Sequence, residues 1–429
     1  MRNLPLAVPF LVQAALGQVA AAPALATDDP ALARLHADLR AIAFGSGDGG
    51  TTATAAARLL AGLRTGDLAV ARAALAAVRA RATASANPAL TDGCWQLLAL
   101  GWFCAATGDD ALAAATWPTQ RPLLQRLARA PTAPQFADEC LVIQACFAAA
   151  SLCHRAGGDP LPWTNRAFVR RERLERVGWQ RMRGRFRSDA STGLSARRAH
   201  PPAEVRDLEP AWFGLCPTSL PWRSHVAGAL DELTRAAADR PATDSVRAAA
   251  IRLAAATSLR APARDLAYAA LGRRDAAGTA PADAAVALDA LGFALTGLRQ
   301  AIDFGRGGAL ADVVELAPWL PPAATSLRLR GLAAAGATFD LDVDARSGPR
   351  RDDEADLAAC IGGDRQRLVV AISLRATSDG APRIVVLRGG CEGAVAMLAV
   401  GERWVGSLAT PQLDAEHELR RGDGDAAGR

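Results

Sequence analysis

Alanine-rich apolar segments, cut short by Gly-Asp or Gly-Gly pairs, run through most of this chain. Two of the stops, Gly66-Asp67 and Gly108-Asp109, stand 42 residues apart, and each opens a new Ala-rich segment. Alanine loses no side-chain entropy in a helix. Glycine supplies the left-handed backbone where a helix ends. A helix–stop–helix unit recurring at such spacing reads as stacked helical hairpins, which either close into a toroid or continue as an open solenoid. The pattern predicts helices over 30–43, 52–63, 68–82, 94–106, 110–116, 121–130, 136–156, 208–236, 243–258, 263–271 and 282–304.

Near Glu315 the periodicity changes. Short apolar or alternating runs at 326–330, 338–343, 368–374, 382–387 and 394–400 are separated by Gly and Asp clusters. These predict a small antiparallel β domain over 316–410 after a helical domain over 27–315, with a polar, Gly-rich, disordered tail over 411–429. Residues 1–26 leave two readings open. Arg2, the apolar run from Leu4 to Leu16 and Ala24-Leu25-Ala26 have the form of a secretory signal, which implies a secreted or periplasmic protein. Against it, Pro5 and Pro9 interrupt that run and Gln13 and Gln18 are polar, and the other reading is a first helix of the globular fold in a cytoplasmic protein. No other segment is apolar for long enough to be expected to span a membrane.

With 429 residues, half of them hydrophobic, the chain can bury a large core. All 49 basic residues are arginine, which together with the alanine content reflects coding bias more simply than function. The net charge of +5 is therefore weak support for an anionic partner. The stretch 164–187 interleaves arginines with Phe168, Trp179 and Phe186, a composition that can bind single strands. Glu172 and Glu175 dilute its charge, and a solvated helix with an inward aromatic side is the expectation; no nucleic acid is. Eight cysteines lie mostly in apolar runs without metal-ligand spacing, so buried thiols are expected, with disulfides left open. No phosphate cradle, Gly-x-Ser-x-Gly elbow or His-Glu-x-x-His motif is present, so no cofactor or metal is expected.

One string carries a chemistry. Asp92 precedes Trp95, an apolar helix, Thr107-Gly108-Asp109 and then Trp117-Pro118. It resembles an inner helix and its outer partner in the (α/α)6 six-hairpin glycosidases, in particular the glucoamylase-like and glycogen-debranching branch. The stretch 208–233 is similar to a second helix pair of that family, with Glu209 at its acidic position. The stretch 315–343, with Pro318-Trp319-Leu320-Pro321 before a strand and then Phe339-Asp340-Leu341, resembles the β domain that follows such toroids. The resemblance implies a mainly α toroid of helical hairpins, not necessarily complete, followed by a small antiparallel β domain. It also implies an oligosaccharide ligand, with the acid and nearby aromatic facing a sugar pocket.

Inverting glycosidases need a carboxylic acid to protonate the leaving oxygen and a second carboxylate to activate water. The available groups are Asp92, Asp138, Glu139, Glu204, Asp207 and Glu209. Asp92 and Glu209 are the catalytic candidates, and Asp92, Trp95 and Trp212 the substrate contacts. Asp92 can equally cap the helix expected from Cys94, and Glu209 can be a first-turn residue favoured by the helix dipole. The family places its second carboxylate in a Gly-rich segment near the last hairpin. Here that segment, 272–283, offers only Asp275 and Asp283, so the dyad is incomplete and a degenerate relative is expected as readily as an active one. A second reading is a non-catalytic helical-repeat scaffold for a protein partner.

Overall fold

The computed structural model describes residues 25–45, 50–84, 89–180, 184–186, 203–214, 220–239, 245–257, 259, 261–274, 276–298, 313–345, 366–389 and 392–410. The leader question at 1–24, the tail from 411 and Asp275 lie outside the described residues. The chain enters through a short strand, β1 (Ala26–Thr27). Helices α1 (Pro30–Gly45), α2 (Thr52–Thr65), α3 (Leu68–Ala84), α4 (Leu90–Thr107), α5 (Asp110–Thr116), α6 (Arg121–Arg129), α7 (Phe136–Arg155) and α8 (Leu161–Gly178) follow. A hairpin of β2 (Trp179–Gln180) and β3 (Arg185–Phe186) separates them from α9 (Glu209–Trp212), α10 (Leu220–Asp239), α11 (Val246–Thr257), α12 (Ala261–Gly272) and α13 (Pro281–Thr296).

Inner and outer positions alternate along the chain. α2, α4, α7, α9, α11 and α13 each pack on the next, and α13 packs back on α2, so the helices close into a ring rather than an open superhelix. An inner helix has neighbours on nearly every side, so it must be apolar nearly all round. α7 shows this: from Phe136 to Cys153 only Asp138 is not buried. By length and composition α7 could cross a membrane, but 94% of its apolar window is buried inside the fold. That is the environment of a core helix. α9 departs from the rest of the ring. It is 4 residues long, against 12 to 20 for the other inner helices. The expectation of one long helix over 208–236 therefore fails: a 3-10 turn at 205–208 and α9 precede α10 as separate pieces. Pro210 suits the first turn of α9 and so marks its start, and Gly214, with a φ of +90°, takes left-handed backbone just past its end.

The C-terminal region forms two sheets. One has the order β1-β5-β6-β7-β10, with β5 (Ser326–Ala334), β6 (Ala337–Ala345), β7 (Gln366–Thr377) and β10 (Arg403–Thr410), all antiparallel. The other has the order β4-β8-β9, with β4 (Val313–Leu316), β8 (Arg383–Gly389) and β9 (Glu392–Leu398). β4 runs parallel to β8 and starts just before the boundary at 315 expected for the helical domain. Its burial alternates because one face packs on the core. The apolar inner rows, Leu327, Leu329, Phe339, Leu341, Val370 and Ile372 among them, join the same core as the helices.

This β domain covers the C-terminal ends of three adjacent inner helices. Each of these ends on a left-handed glycine: Gly66 after α2, Gly108 after α4 and Gly297 after α13. A Cβ at Gly66 would meet the Arg330 and Gly331 carbonyls. At Gly108 it would meet Ser378 and Gly336, and at Gly297 Ala317, in every case closer than 3.0 Å. Backbone bonds fix the joint: Gly336 N–H donates to Ala106 O at 3.1 Å, and Ala317 N–H to Thr296 O at 2.9 Å. The opposite end of the ring is where the inner helices start.

Candidate functional site

The first turns of the inner helices gather polar groups at that end. Asp92 lies in the first turn of α4, Asp138 and Glu139 in that of α7, Glu209 in that of α9, and Asp283 in that of α13. Carboxylates are favoured there by the unpaired N–H groups and the helix dipole. The expectation that Asp92 caps its helix is corrected. α4 begins at Leu90 with Ala89 in the cap position, so Asp92 is the third helical residue, in the first turn rather than at the cap, and is half-buried.

The two predicted acid–tryptophan pairs meet. Asp92 and Trp95 are three residues apart on α4, as are Glu209 and Trp212 on α9, so each acid shares a helix face with its tryptophan. The Trp95 and Trp212 rings lie 5.7 Å apart, and Trp95 also meets Phe213 at 6.1 Å and Trp102 at 6.5 Å. Within this cluster Trp95 is partly exposed, whereas Trp212, Phe213 and Trp102 are buried. Glu209 is held by Arg247 of α11 at 3.2 Å, and the Arg247 guanidinium lies over the Trp212 ring at 5.8 Å. No ion pair to Asp92 or Asp283 is found among the described residues.

The other carboxylates are engaged elsewhere. Glu139 is buried, pairs with Arg170 at 2.8 Å and accepts the Ala133 N–H, tying down the loop before α7. Asp138 faces Arg206 at 3.3 Å. Glu204 and Asp207 cap each other's backbone in the 3-10 turn, and burial pushes the Asp207 carboxyl up. His225 closes the same corner. It accepts Phe186 N–H at Nδ1 (3.0 Å) and faces the Asp207 carbonyl with Nε2 (3.1 Å), the neutral Nε2–H tautomer. It packs against the Phe136 and Phe186 rings; of the aromatics in the arginine-rich stretch, Phe186 is buried and Trp179 packs on it, whereas Phe168 is 40% exposed.

One charged pair escaped the sequence reading. Asp289, mid-way along α13, and Arg64, in the last turn of α2, are both buried and meet at 2.8 Å. Asp289 also accepts the Trp212 indole N–H at 3.0 Å, and Arg64 lies over Phe293 at 4.5 Å. Burial pushes the Asp289 carboxyl up to about 6, against the pull of the Arg64 charge and the Trp212 hydrogen bond. The signal was available: Asp289 is the lone charge in an apolar run, and a buried carboxylate needs partners.

The cysteines described, Cys94, Cys104, Cys140, Cys146 and Cys153, are free and buried, as small apolar side chains. Burial drives their thiols up, Cys104 and Cys146 to about 12, so they are not reactive nucleophiles. No cluster suited to a metal ion occurs among the described residues.

No family model matches the chain, and neither does any curated protein. Solved structures do. The α-L-rhamnosidase of Streptomyces avermitilis, in a complex with L-rhamnose, aligns with a TM-score of 0.55 at 13% identity. The match covers 90% of this chain and 42% of that one. A GH78 family rhamnosidase of Bacillus sp. GL1 aligns with a TM-score of 0.49 at 12% identity, over 77% of this chain and 41% of that one. This chain thus spans about two fifths of the length of the structures it matches. The likeness to the Streptomyces enzyme is one of fold. This chain shares with it a helical toroid followed by a β domain.

Proposed function

We propose that this chain is a carbohydrate-associated protein of the six-hairpin glycosidase architecture, and that it binds an oligosaccharide at the open end of its helical ring. The observation that carries this is the pairing of Asp92 with the partly exposed Trp95 ring, backed by Trp212. A sugar needs an aromatic face for its C–H surface and a carboxylate for its hydroxyls. Among the described residues Asp92 is free of ion pairs and can accept such bonds.

Hydrolysis asks for more. Glu209, the acid candidate, is engaged by Arg247. Asp283 stands at the same end of the ring as Asp92 and is the second carboxylate available to activate water. An inverting mechanism would use these groups across the sugar. The resemblance to the glucoamylase-like and glycogen-debranching branch makes glucose-containing oligosaccharides one probe. The likeness to a structure holding L-rhamnose makes rhamnosides the next probe.

Thermal shift and tryptophan-fluorescence titration with glucose-, rhamnose- and glucuronate-containing oligosaccharides test the proposal, on wild type and Asp92→Asn. A sugar that stabilises wild type and loses its effect in the variant supports it. If no sugar acts on wild type, the proposal fails. A protein-binding role is the second reading, favoured by a bare apolar row on the outer β8–β9 face: Ile384, Val395 and Met397 are 39%, 72% and 71% exposed. Pull-down with Met397→Glu as the control would then decide it.

A further inference from the structure

The inner ring has one defective position. α9 supplies a single turn where its neighbours supply whole helices, so among the described residues little helical backbone lines the ring between α7 and α11. Trp212, the last residue of α9, is buried there, and its indole N–H reaches across to α13. The acceptor is Asp289, itself held by Arg64 of α2. Three inner helices are thus linked through one carboxylate beneath the tryptophan pair.

A buried ion pair is a poor source of stability, because desolvating both charges offsets their attraction. Apolar residues of similar volume would fill the same space without that penalty. What an apolar side chain cannot do is accept the indole N–H and so fix the rotation of the Trp212 ring. That ring is engaged by two groups, Trp95 at 5.7 Å and Arg247 at 5.8 Å. A rotated Trp212 would therefore displace both groups at the mouth of the ring.

We propose that Asp289 is a positioning residue for the candidate site: its carboxylate orients Trp212, and Trp212 in turn sets the Trp95 ring and the Arg247 guanidinium. Arg64 holds the carboxylate in place. The ligand rests on the carbohydrate reading given above; the positioning rests on the geometry alone.

Two double variants separate orientation from burial. Arg64→Met with Asp289→Asn removes both charges and keeps an acceptor for the indole. Arg64→Met with Asp289→Leu removes the charges and the acceptor together. Neither strands a buried charge, so both are expected to fold. Near-UV circular dichroism reads the tryptophan cluster without ligand, and fluorescence titration reads the affinity for the oligosaccharide that stabilises wild type.

The Asn variant is expected to keep the wild-type near-UV spectrum and affinity. The Leu variant is expected to lose the tryptophan bands and to bind about tenfold more weakly. Identical spectra and affinities for the two variants would overturn the positioning role. Should the Leu variant not fold, Trp212→Phe removes the same hydrogen bond from the other side. Unchanged acrylamide quenching of the remaining tryptophans in that variant would overturn the role, and increased quenching would support it. If wild type binds no sugar but the two near-UV spectra differ as expected, the positioning stands and the carbohydrate reading falls.

Discussion

The two ends of the helical ring are built from the same six inner helices, yet they tolerate change differently. At the C-terminal end, Gly66, Gly108 and Gly297 carry left-handed backbone against the β domain, with no room for a Cβ. At the N-terminal end, first-turn carboxylates stand near a partly exposed tryptophan, and two of the five, Asp92 and Asp283, meet no ion-pair partner among the described residues. One end is specified by sterics and hydrogen bonds to backbone. The other includes Asp92 and Asp283, which meet no ion-pair partner among the described residues, and that asymmetry is why the site is proposed there.

The sharpest way to break this comparison is at the glycines. Gly108→Ala should lower unfolding free energy by about 3 kcal/mol or more, because it adds both a strained φ of +69° and a clash with Ser378 and Gly336. Chemical denaturation measures it. A loss below about 1 kcal/mol would mean the β domain is not tightly seated on the ring.

Between the two ends, pH separates two buried groups of opposite sign. Burial and the Arg40 charge hold His36 down at about 4, so this group's contribution to stability falls as pH drops from about 6.5 to 4. Asp289, raised to about 6, acts the other way. The unfolded chain releases that proton first, so stability falls as pH rises from about 4 to 6. Each effect is on the order of 3 kcal/mol, and in wild type they largely offset. His36→Gln should expose the decline with rising pH, and Arg64→Met with Asp289→Asn the reverse slope. Equilibrium unfolding across pH 4 to 7 reads both; parallel profiles for the three proteins would refute the assignment.

At the open end, Asp92→Asn should leave stability within about 0.5 kcal/mol of wild type, as expected for a first-turn side chain without a partner. Oligosaccharide affinity should fall about tenfold with it. A large stability loss instead would make Asp92 structural and remove the contrast between the ends. The smallest effect is expected for Glu209→Gln. Its pair with Arg247 is partly exposed, at 18% and 36%, so about 0.5 kcal/mol is the expected loss of stability. Thermal unfolding checks it, and a shift as large as that of Gly108→Ala would place Glu209 in the frame rather than at the site.

Much of the frame was legible. Gly66-Asp67 and Gly108-Asp109 were read as helix stops, and both glycines end inner helices in the left-handed conformation. The Trp95 and Glu209–Trp212 stretches were singled out separately, and the structure brings the two tryptophans together. The start of α4 was misplaced by four residues, because Leu90 to Gly93 lack a marked cap. α9 and α10 were fused into one helix, and β4 was read as the end of the helical region, since a strand of 4 residues has too few alternations to show a period.

The sequence by itself determined the two local periodicities, the stops between helices and the acids of the first turns, because these follow from propensity and from unpaired backbone groups within one segment. Tertiary structure alone decided that the hairpins close into a ring, that the β domain seats on one end of it, and that Arg64 and Asp289 meet beneath Trp212. Those contacts join residues far apart in the chain, and only burial makes their pairing obligatory: a charge that water would satisfy anywhere in the unfolded chain has, inside the ring, a single place to be neutralised.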